Sequence, residues 1–264
     1  MSTILDQLAE HARERVAADR ERVPLETLKQ QCLRGDMPKR APFAFEAALK
    51  KPGLSYICEL KKASPSKGII AESFPYLDIA GDYAAAGADA ISCLTEPKWF
   101  LGSDEIFTDV RSTVDIPMLR KDFTVDEYQI YQAKTMGADA VLLICAILSA
   151  DEVRRYLLLC EELGLSALVE AHDAEEIELA IAAGARIIGV NNRNLKDFSV
   201  DTGNSKRLKE LVPAGVLFVS ESGIQSAEDV QLLRESGVDA VLIGEALMRA
   251  SDKKAMLDRF RGAV

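Results

Sequence analysis

The sequence predicts a (β/α)₈ barrel with a helical N-terminal extension. Two observations carry this. A short phrase returns four times, as AAGADAISCL at Ala85–Leu94, MGADAVLLIC at Met136–Cys145, AAGARIIGVN at Ala182–Asn191 and SGVDAVLIGE at Ser236–Glu245. Four more apolar runs lie between and around these copies, at Tyr56–Lys61, Met118–Lys121, Ser166–Glu170 and Val216–Ser222. A third observation removes the main competitor, because no G-x-G-x-x-G follows the first run, as an open dinucleotide-binding sheet would require.

In each copy of the phrase a helical pattern stops at a glycine, which suits the left-handed position just past a helix end. The β-branched run that follows reads as a buried parallel strand. Copies recur about fifty residues apart, the length of two strand–helix units. Strands alternating with helices imply a parallel sheet, and eight such units close into a TIM barrel. Helix starts are marked by Thr124/Glu127, Ser149/Glu152 and Asp173/Glu176, each a capping residue followed three positions later by Glu, and by the similar Ser226/Asp229. Residues 1–50 lie outside the repeat. There Ile4, Leu5, Leu8, Ala12 and Val16 recur at helical spacing, and Pro24, Gly35, Pro38 and Pro42 then break the pattern. This is read as an extension packed on the barrel or over its mouth, with a plain tether as the alternative. Residues 1–264 are read as one domain, since barrels of about 250 residues fold as one.

Composition excludes several classes. The 264 residues are 48% hydrophobic, enough for one large core, and carry a net charge of −10. Without a Lys/Arg run, that charge repels nucleic acid. No basic amphipathic helix and no apolar stretch of about eighteen residues is present, so no membrane association is expected. The charged start does not read as a signal peptide, and a cytoplasmic protein is expected. Five scattered cysteines read as reduced, buried thiols. With two histidines and no C-x-x-C or H-E-x-x-H, no metal is expected. A small anion remains a fitting partner, because a few local cations suffice to hold one. Composition leaves monomer or homo-oligomer undecided.

In a barrel the active site forms where strands end. Glu59 and Lys61 close the first strand and share a face with Ile57, while Tyr56, Cys58 and Leu60 face the helices. Lys121 ends the third strand and Glu170 the fifth; the sixth runs into Asn191, Asn192 and Arg193, and the seventh into Ser220, Glu221, Ser222 and Gly223. Ionised groups there are costly to bury unless paired or serving a ligand. A rim of ion pairs explains any one of them, but the convergence of Glu59, Lys61, Lys121, Glu170 and Arg193 argues for a site. Gly223 and Gly244 follow the seventh and eighth strands, where loops often grip phosphate through backbone N–H groups. His172 directly precedes the Asp173 cap and reads as a helix-start residue. Trp99 and Phe100 suit a ring-binding wall or simple loop packing.

The same residues carry a resemblance. The stretches Glu59–Gly68, Leu94–Ser103, Leu119–Phe123, Gly189–Leu195 and Val219–Ile224, together with Glu170, resemble indole-3-glycerol phosphate synthase. The resemblance runs from first strand to last, and the helical extension is typical too. It implies closure of the pyrrole ring of 1-(2-carboxyphenylamino)-1-deoxyribulose 5-phosphate with loss of carbon dioxide and water, in tryptophan biosynthesis, with no cofactor. It implies Lys121 as the general acid at the substrate carbonyl, Lys61 as a second cation and Glu170 as the acid/base for hydroxyl loss. By the same resemblance Glu59 orients Lys61, and Asn191 binds a sugar hydroxyl. Ser64 and Arg193 hold the anion, Phe100 and Phe123 flank the aromatic ring, and Ser222, Gly223 and Gly244 form the phosphate cradle. Glu245 stands where some members carry Ser, so a hydroxyl contact is missing there. Which lysine acts at each step stays open. Rival readings are a phosphoribosylanthranilate isomerase, a flavin-dependent barrel and a non-catalytic metabolite sensor. The isomerase needs a Cys/Asp pair, and Cys58 faces outward by alternation. The sensor needs the cradle but not Lys121 with Glu170.

Overall fold

Eight short apolar runs become eight strands: β1 (Ser55–Leu60), β2 (Ala90–Leu94), β3 (Met118–Lys121), β4 (Ala140–Ile144), β5 (Ser166–Ala171), β6 (Ile187–Asn191), β7 (Leu217–Glu221) and β8 (Ala240–Ile243). Each pairs in parallel with its sequence neighbours, and β1 also pairs with β8, so the sheet closes into a barrel. The computed structural model describes residues 3–193, 199–201 and 203–262. The four glycines that end the repeated phrase's helices, Gly87, Gly137, Gly184 and Gly237, all have positive φ, between 71° and 95°. That left-handed step is what turns each helix back toward its strand.

Alternation along the strands sorts their residues into two layers. Ile57, Leu119, Leu168, Ile187, Val219 and Leu242 point inward and fill the barrel. Tyr56, Cys58, Leu60, Ile91, Met118 and Val169 point outward beneath the helices. Cys58, Cys93, Cys145 and Cys160 are buried, and burial pushes their thiols up, those of Cys145 and Cys160 to about 12. Such thiols are poor nucleophiles.

Helix starts follow local chemistry. Ser149 and Ser226 form full capping boxes with Glu152 and Asp229 at the heads of α7 (Ala150–Glu162) and α10 (Ala227–Glu235), counting helices along the chain. Asp173 caps α8 (Ala174–Ala183) by accepting from the Glu176 N–H, but the Glu176 carboxylate reaches past it to the His172 N–H at 2.7 Å. The Thr124/Glu127 expectation is corrected. Helix α6 (Glu127–Thr135) begins three residues past Thr124, capped by Asp126 accepting from Tyr128 N–H, while Thr124 is buried. An Asp adjacent to the first turn competes better than a Thr that packing draws inward.

The extension closes both ends of the barrel. Helix α1 (Ile4–Arg22) begins at a Thr3/Asp6 capping box and lies over the mouth, sending Leu8 and Ala12 into the inner layer. Arg15 grips Asp122, next to Lys121, through two bonds of 2.6 and 3.1 Å, and His11 Nδ1 lies 3.1 Å from Glu96 Oε1. Helix α2 (Leu25–Arg34) runs along α6, with Leu28 and Val16 packed on Tyr128. Helix α3 (Ala44–Leu49) plugs the other end with Phe45 and Leu49, and the Glu46 N–H donates to Ser166 at the start of β5. Burying each of those two side chains stabilises by about 1.5–3 kcal/mol. The tether alternative therefore fails. Among the described residues no helix is long and apolar enough to cross a membrane.

Candidate active site

The inward alternation that fills the barrel continues to its upper rim, where the inward residue changes from apolar to charged or, at Asn191, polar. Ile57 is followed two residues on by Glu59, Leu119 by Lys121, Leu168 by Glu170, Gly189 by Asn191 and Val219 by Glu221. Parallel pairing sets Glu170 opposite Ile144 and Gly189, and Asn191 opposite Glu221. Residues more than 160 positions apart in sequence thus crowd one opening, a cleft at the top of the barrel.

All twelve sequence-selected residues line this cleft: Glu59, Lys61, Ser64, Phe100, Lys121, Phe123, Glu170, Asn191, Arg193, Ser222, Gly223 and Gly244. Lys61 stands just past the end of β1, ion-paired with Glu59, whose other oxygen accepts from Ser92 Oγ at 3.4 Å. Ser64 sits on a two-rung hairpin, Ala63–Ser64 against Gly68–Ile69. Phe100 and Phe123 face the cleft with ring centroids 6.1 Å apart and planes tilted by 41°. Buried Glu96 shapes the Phe100 loop by accepting from the N–H groups of Lys98, Trp99 and Phe100. Trp99 is not in the wall; it meets His11 edge-on at 5.4 Å, the loop-packing alternative. Ile4 and Leu8 of α1 complete the lining. Asn194 and Leu195 of the Gly189–Leu195 motif lie outside the described residues.

At the centre is a three-way contact. Lys121 Nζ lies 3.0 Å from Glu170 Oε2 and 3.3 Å from Glu221 Oε2. Burial alone favours the neutral amine, but Glu170, Glu221 and Glu59 outweigh it and hold Lys121 charged, far above the ordinary lysine value. Glu170 is pulled below its ordinary value: burial opposes this, but Lys121, His172 and the Asn191 side chain, whose Nδ2 donates at 3.2 Å, prevail. Glu221 goes the other way, up to about 7, because burial and the nearby Glu170 and Glu59 charges exceed the attraction of Lys121. Its Oε1 is buried without a hydrogen-bond partner among the described residues. Two carboxylates sharing one ammonium, with values driven apart, is an arrangement suited to acid–base work.

Glu221 was not among the selected residues. Read alone in Val-Ser-Glu-Ser-Gly it looks like any rim charge. The signal was there, because Glu221 keeps the inward phase of Val219 as Glu170 keeps that of Leu168. Gly189 is explained by it: a Cβ there would collide with Glu221 Oε1. A Cβ on Gly244 would likewise strike Glu59 and come within 2.7 Å of Lys61 Nζ. Beside them the backbone turns sharply, with positive φ at both Ser222 (65°) and Gly223 (80°). Asn192, the neighbour of Asn191, faces away and ties β6 to β7 through Ser220 Oγ and the Ser222 carbonyl.

Comparisons with known proteins bear on the fold and the family. The family profile described as indole-3-glycerol phosphate synthase matches residues 5–260. Proteins of that name from Ruminiclostridium cellulolyticum and Lachnoclostridium phytofermentans are 56% and 47% identical, over 261 and 270 aligned residues, each covering 99% of this chain and 100% of the relative. One from Endomicrobium trichonymphae is 50% identical over 250 residues, covering 94% of this chain and 96% of its own. Among solved structures, a 3-hexulose-6-phosphate synthase superposes with a TM-score of 0.62 at 17% identity, over 80% of this chain and 100% of that one. A thiamine phosphate pyrophosphorylase from Pyrococcus furiosus gives 0.59 at 18%, over 79% and 94%. At such identities the solved structures speak for the barrel fold only. The sequence relatives go further: this chain belongs to the indole-3-glycerol phosphate synthase family.

Proposed function

We propose that the cleft performs the reaction for which the family is named. 1-(2-Carboxyphenylamino)-1-deoxyribulose 5-phosphate is closed to indole-3-glycerol phosphate with release of carbon dioxide and water, a carboxy-lyase step of tryptophan biosynthesis. The observation that carries this is the Lys121 ammonium, buried between Glu170 and Glu221 in the same cleft as the Ser222–Gly223 turn and Gly244.

The substrate has two anionic ends, an aromatic ring, a carbonyl to activate and a hydroxyl to expel. Phosphate sits against the Ser222–Gly223 and Gly244 backbones, whose N–H groups donate to it. Ser64, Lys61 and Arg193 face the anions, with Glu59 fixing Lys61. Phe100 and Phe123 flank the ring. Lys121, held charged, donates first a hydrogen bond and then its proton as the carbonyl oxygen becomes alkoxide-like, so the ring carbon can attack. The new carbon–carbon bond leaves the carboxylate on a non-aromatic ring, and the C–C bond electrons return to that ring as carbon dioxide departs. Glu170 then removes a proton from the carbon beside the nitrogen while Lys61 protonates the hydroxyl, which leaves as water; Glu170 returns its proton to Lys121, and solvent recharges Lys61. Asn191 hydrogen-bonds a sugar hydroxyl and orients Glu170. The carboxylate leaves as neutral carbon dioxide, so one proton is consumed per turnover. Glu245 is set beside the cradle but is engaged by Arg249 at 3.1 Å, which moderates its repulsion of phosphate.

The test is direct. Purified protein with the synthetic substrate should develop indole fluorescence with matching release of carbon dioxide. Substrate that binds and raises the melting temperature yet never gives indole would place the protein with the non-catalytic sensors instead.

A further inference from the structure

The mechanism above leaves Glu170 with a difficulty. In the resting site its Oε2 faces Lys121. Once Lys121 has given its proton to the carbonyl, that cation is gone, just before Glu170 must act as a base. A buried carboxylate that loses its counter-charge takes up a proton instead.

A second group stands on the other side of the same carboxylate. His172, two residues further along β5 and its following turn, points Nε2 toward Glu170 Oε1 at 3.7 Å. That nitrogen is buried and has no hydrogen-bond partner among the described residues. The opposite ring nitrogen, Nδ1, lies 3.2 Å from Glu176 Oε2, which also accepts the His172 backbone N–H. A ring with a carboxylate at each end is best satisfied as the imidazolium, the form in which both nitrogens donate. His172 does not line the substrate cleft. It lines a separate cavity behind Asn191, together with Asp173, Glu176, Asp201 and Arg207. Glu170 lies in the wall of the first cavity and His172 in the wall of the second.

We propose that His172 is a positioning residue acting through Glu170: clamped by Glu176, its imidazolium keeps the Glu170 carboxylate ionised when Lys121 surrenders its proton. The proposal rests on the assignment of Lys121 as acid and Glu170 as base. Lys121 Nζ–H breaks and the substrate O–H forms, leaving a neutral amine on Oε2. The Oε1 side still has a cation, so the carboxylate remains free to take the substrate's proton in the dehydration that follows loss of carbon dioxide. The second cavity lets the imidazole equilibrate with water while substrate fills the first.

The charged surroundings favour this form. His172 faces Glu170 from β5, the cap Asp173 and Glu176 at the head of α8, Glu221 from β7, and Asp201 and Arg207 across the second cavity; the uncharged Thr3 and Leu5 at the head of α1 also line it. Burial disfavours the charge, but the Glu176 bond and the Glu170, Glu176 and Glu221 carboxylates lift His172 above its ordinary value. The sign for catalysis follows. Removing the cation raises the Glu170 value, so the acid limb of the rate profile moves to higher pH.

The experiment measures kcat and KM from pH 5 to 9 by indole fluorescence for the full chain, for His172→Asn and for Glu176→Gln. For His172→Asn the acid limb of kcat should rise by about one pH unit, with kcat about tenfold lower on that limb, as one unit corresponds to a tenfold population change. KM should stay within about twofold. Glu176→Gln should shift the limb the same way by less, because it weakens the imidazolium without deleting it, and it gives the same readout if His172→Asn does not fold. An acid limb in its original place in the variants, or a raised KM with unchanged kcat, overturns the role of His172. Absence of indole from the unaltered protein overturns instead the reading on which the proposal rests.

Discussion

At the lower end of the barrel, Asp139 is buried and fully engaged. Arg40 Nε reaches its Oδ1 at 2.8 Å, Arg111 Nη1 its Oδ2 at 3.0 Å, and the Met118 N–H the same Oδ2 at 2.8 Å. Phe45 and Leu49 seal the apolar floor nearby. At the upper end Glu170 and Glu221 are as deeply buried, but the charges there are incompletely matched. Lys121 is divided between two carboxylates, and among the described residues Glu221 keeps an oxygen without a partner and His172 a nitrogen without one. Both ends belong to one sheet, so the difference does not come from the fold. A saturated buried charge holds structure, whereas an unsaturated one is poised to exchange protons, and its shortfall is a stability cost tolerated for chemistry.

Three substitutions press on this contrast. The largest effect belongs to Lys121→Ala, which should lower kcat roughly 10²- to 10⁴-fold. Its melting temperature should fall little, since the freed carboxylates can share a proton. Near-normal turnover by indole fluorescence would break the top-end half of the comparison. Next comes Asp139→Ala at the bottom, which strands the buried Arg111 and should cost about 3–5 kcal/mol in denaturant unfolding. The folded fraction should keep its KM and most of its kcat; a loss of activity beyond the loss of folded protein would show that the ends are coupled.

The smallest effect is one of pH. The folded Glu221 value, about 7, lies above its ordinary 4.5. Between those values the folded chain binds more protons than the unfolded one, so this group's contribution to stability declines as pH rises through the window. Glu221→Gln should therefore melt higher than the unaltered protein at pH 8, by up to a few kcal/mol, and the gap should close as pH approaches 5. A gap independent of pH in scanning calorimetry would mean that Glu221 is not the strained group.

Most of this architecture was written in the chain's local chemistry. The four repeated glycines needed positive φ whatever lay around them, and the apolar runs could be buried in only one way. The charges at the strand ends were legible because strand period alone carries Lys121 and Glu170 into the opening. Glu221 escaped because its importance depends on Gly189, thirty-two positions away, leaving room for it. His172 escaped because its proximity to the Asp173 cap offered a sufficient local reason for being there. The floor of the barrel was hidden for a similar reason. In Ala44–Leu49 nothing separates Phe45 and Leu49 from any short amphipathic helix, and only closure of the ring creates the hole they fill. Thr124 misled because a cap is decided by which side chain stays in reach of the first turn, a matter of packing.

The pairing of Ser55–Tyr56 with Ala240–Val241 has a consequence for how the molecule is made. The first strand to leave the ribosome has as one of its two neighbours the last to be synthesised. Until Ala240–Ile243 emerges, the growing sheet has two raw edges and no finished interior for Phe45 and Leu49 to occupy. Synthesis of this protein therefore passes through a long interval as an open, adhesive ribbon, and its yield in a cell depends on what shields that ribbon as much as on the stability of the finished ring.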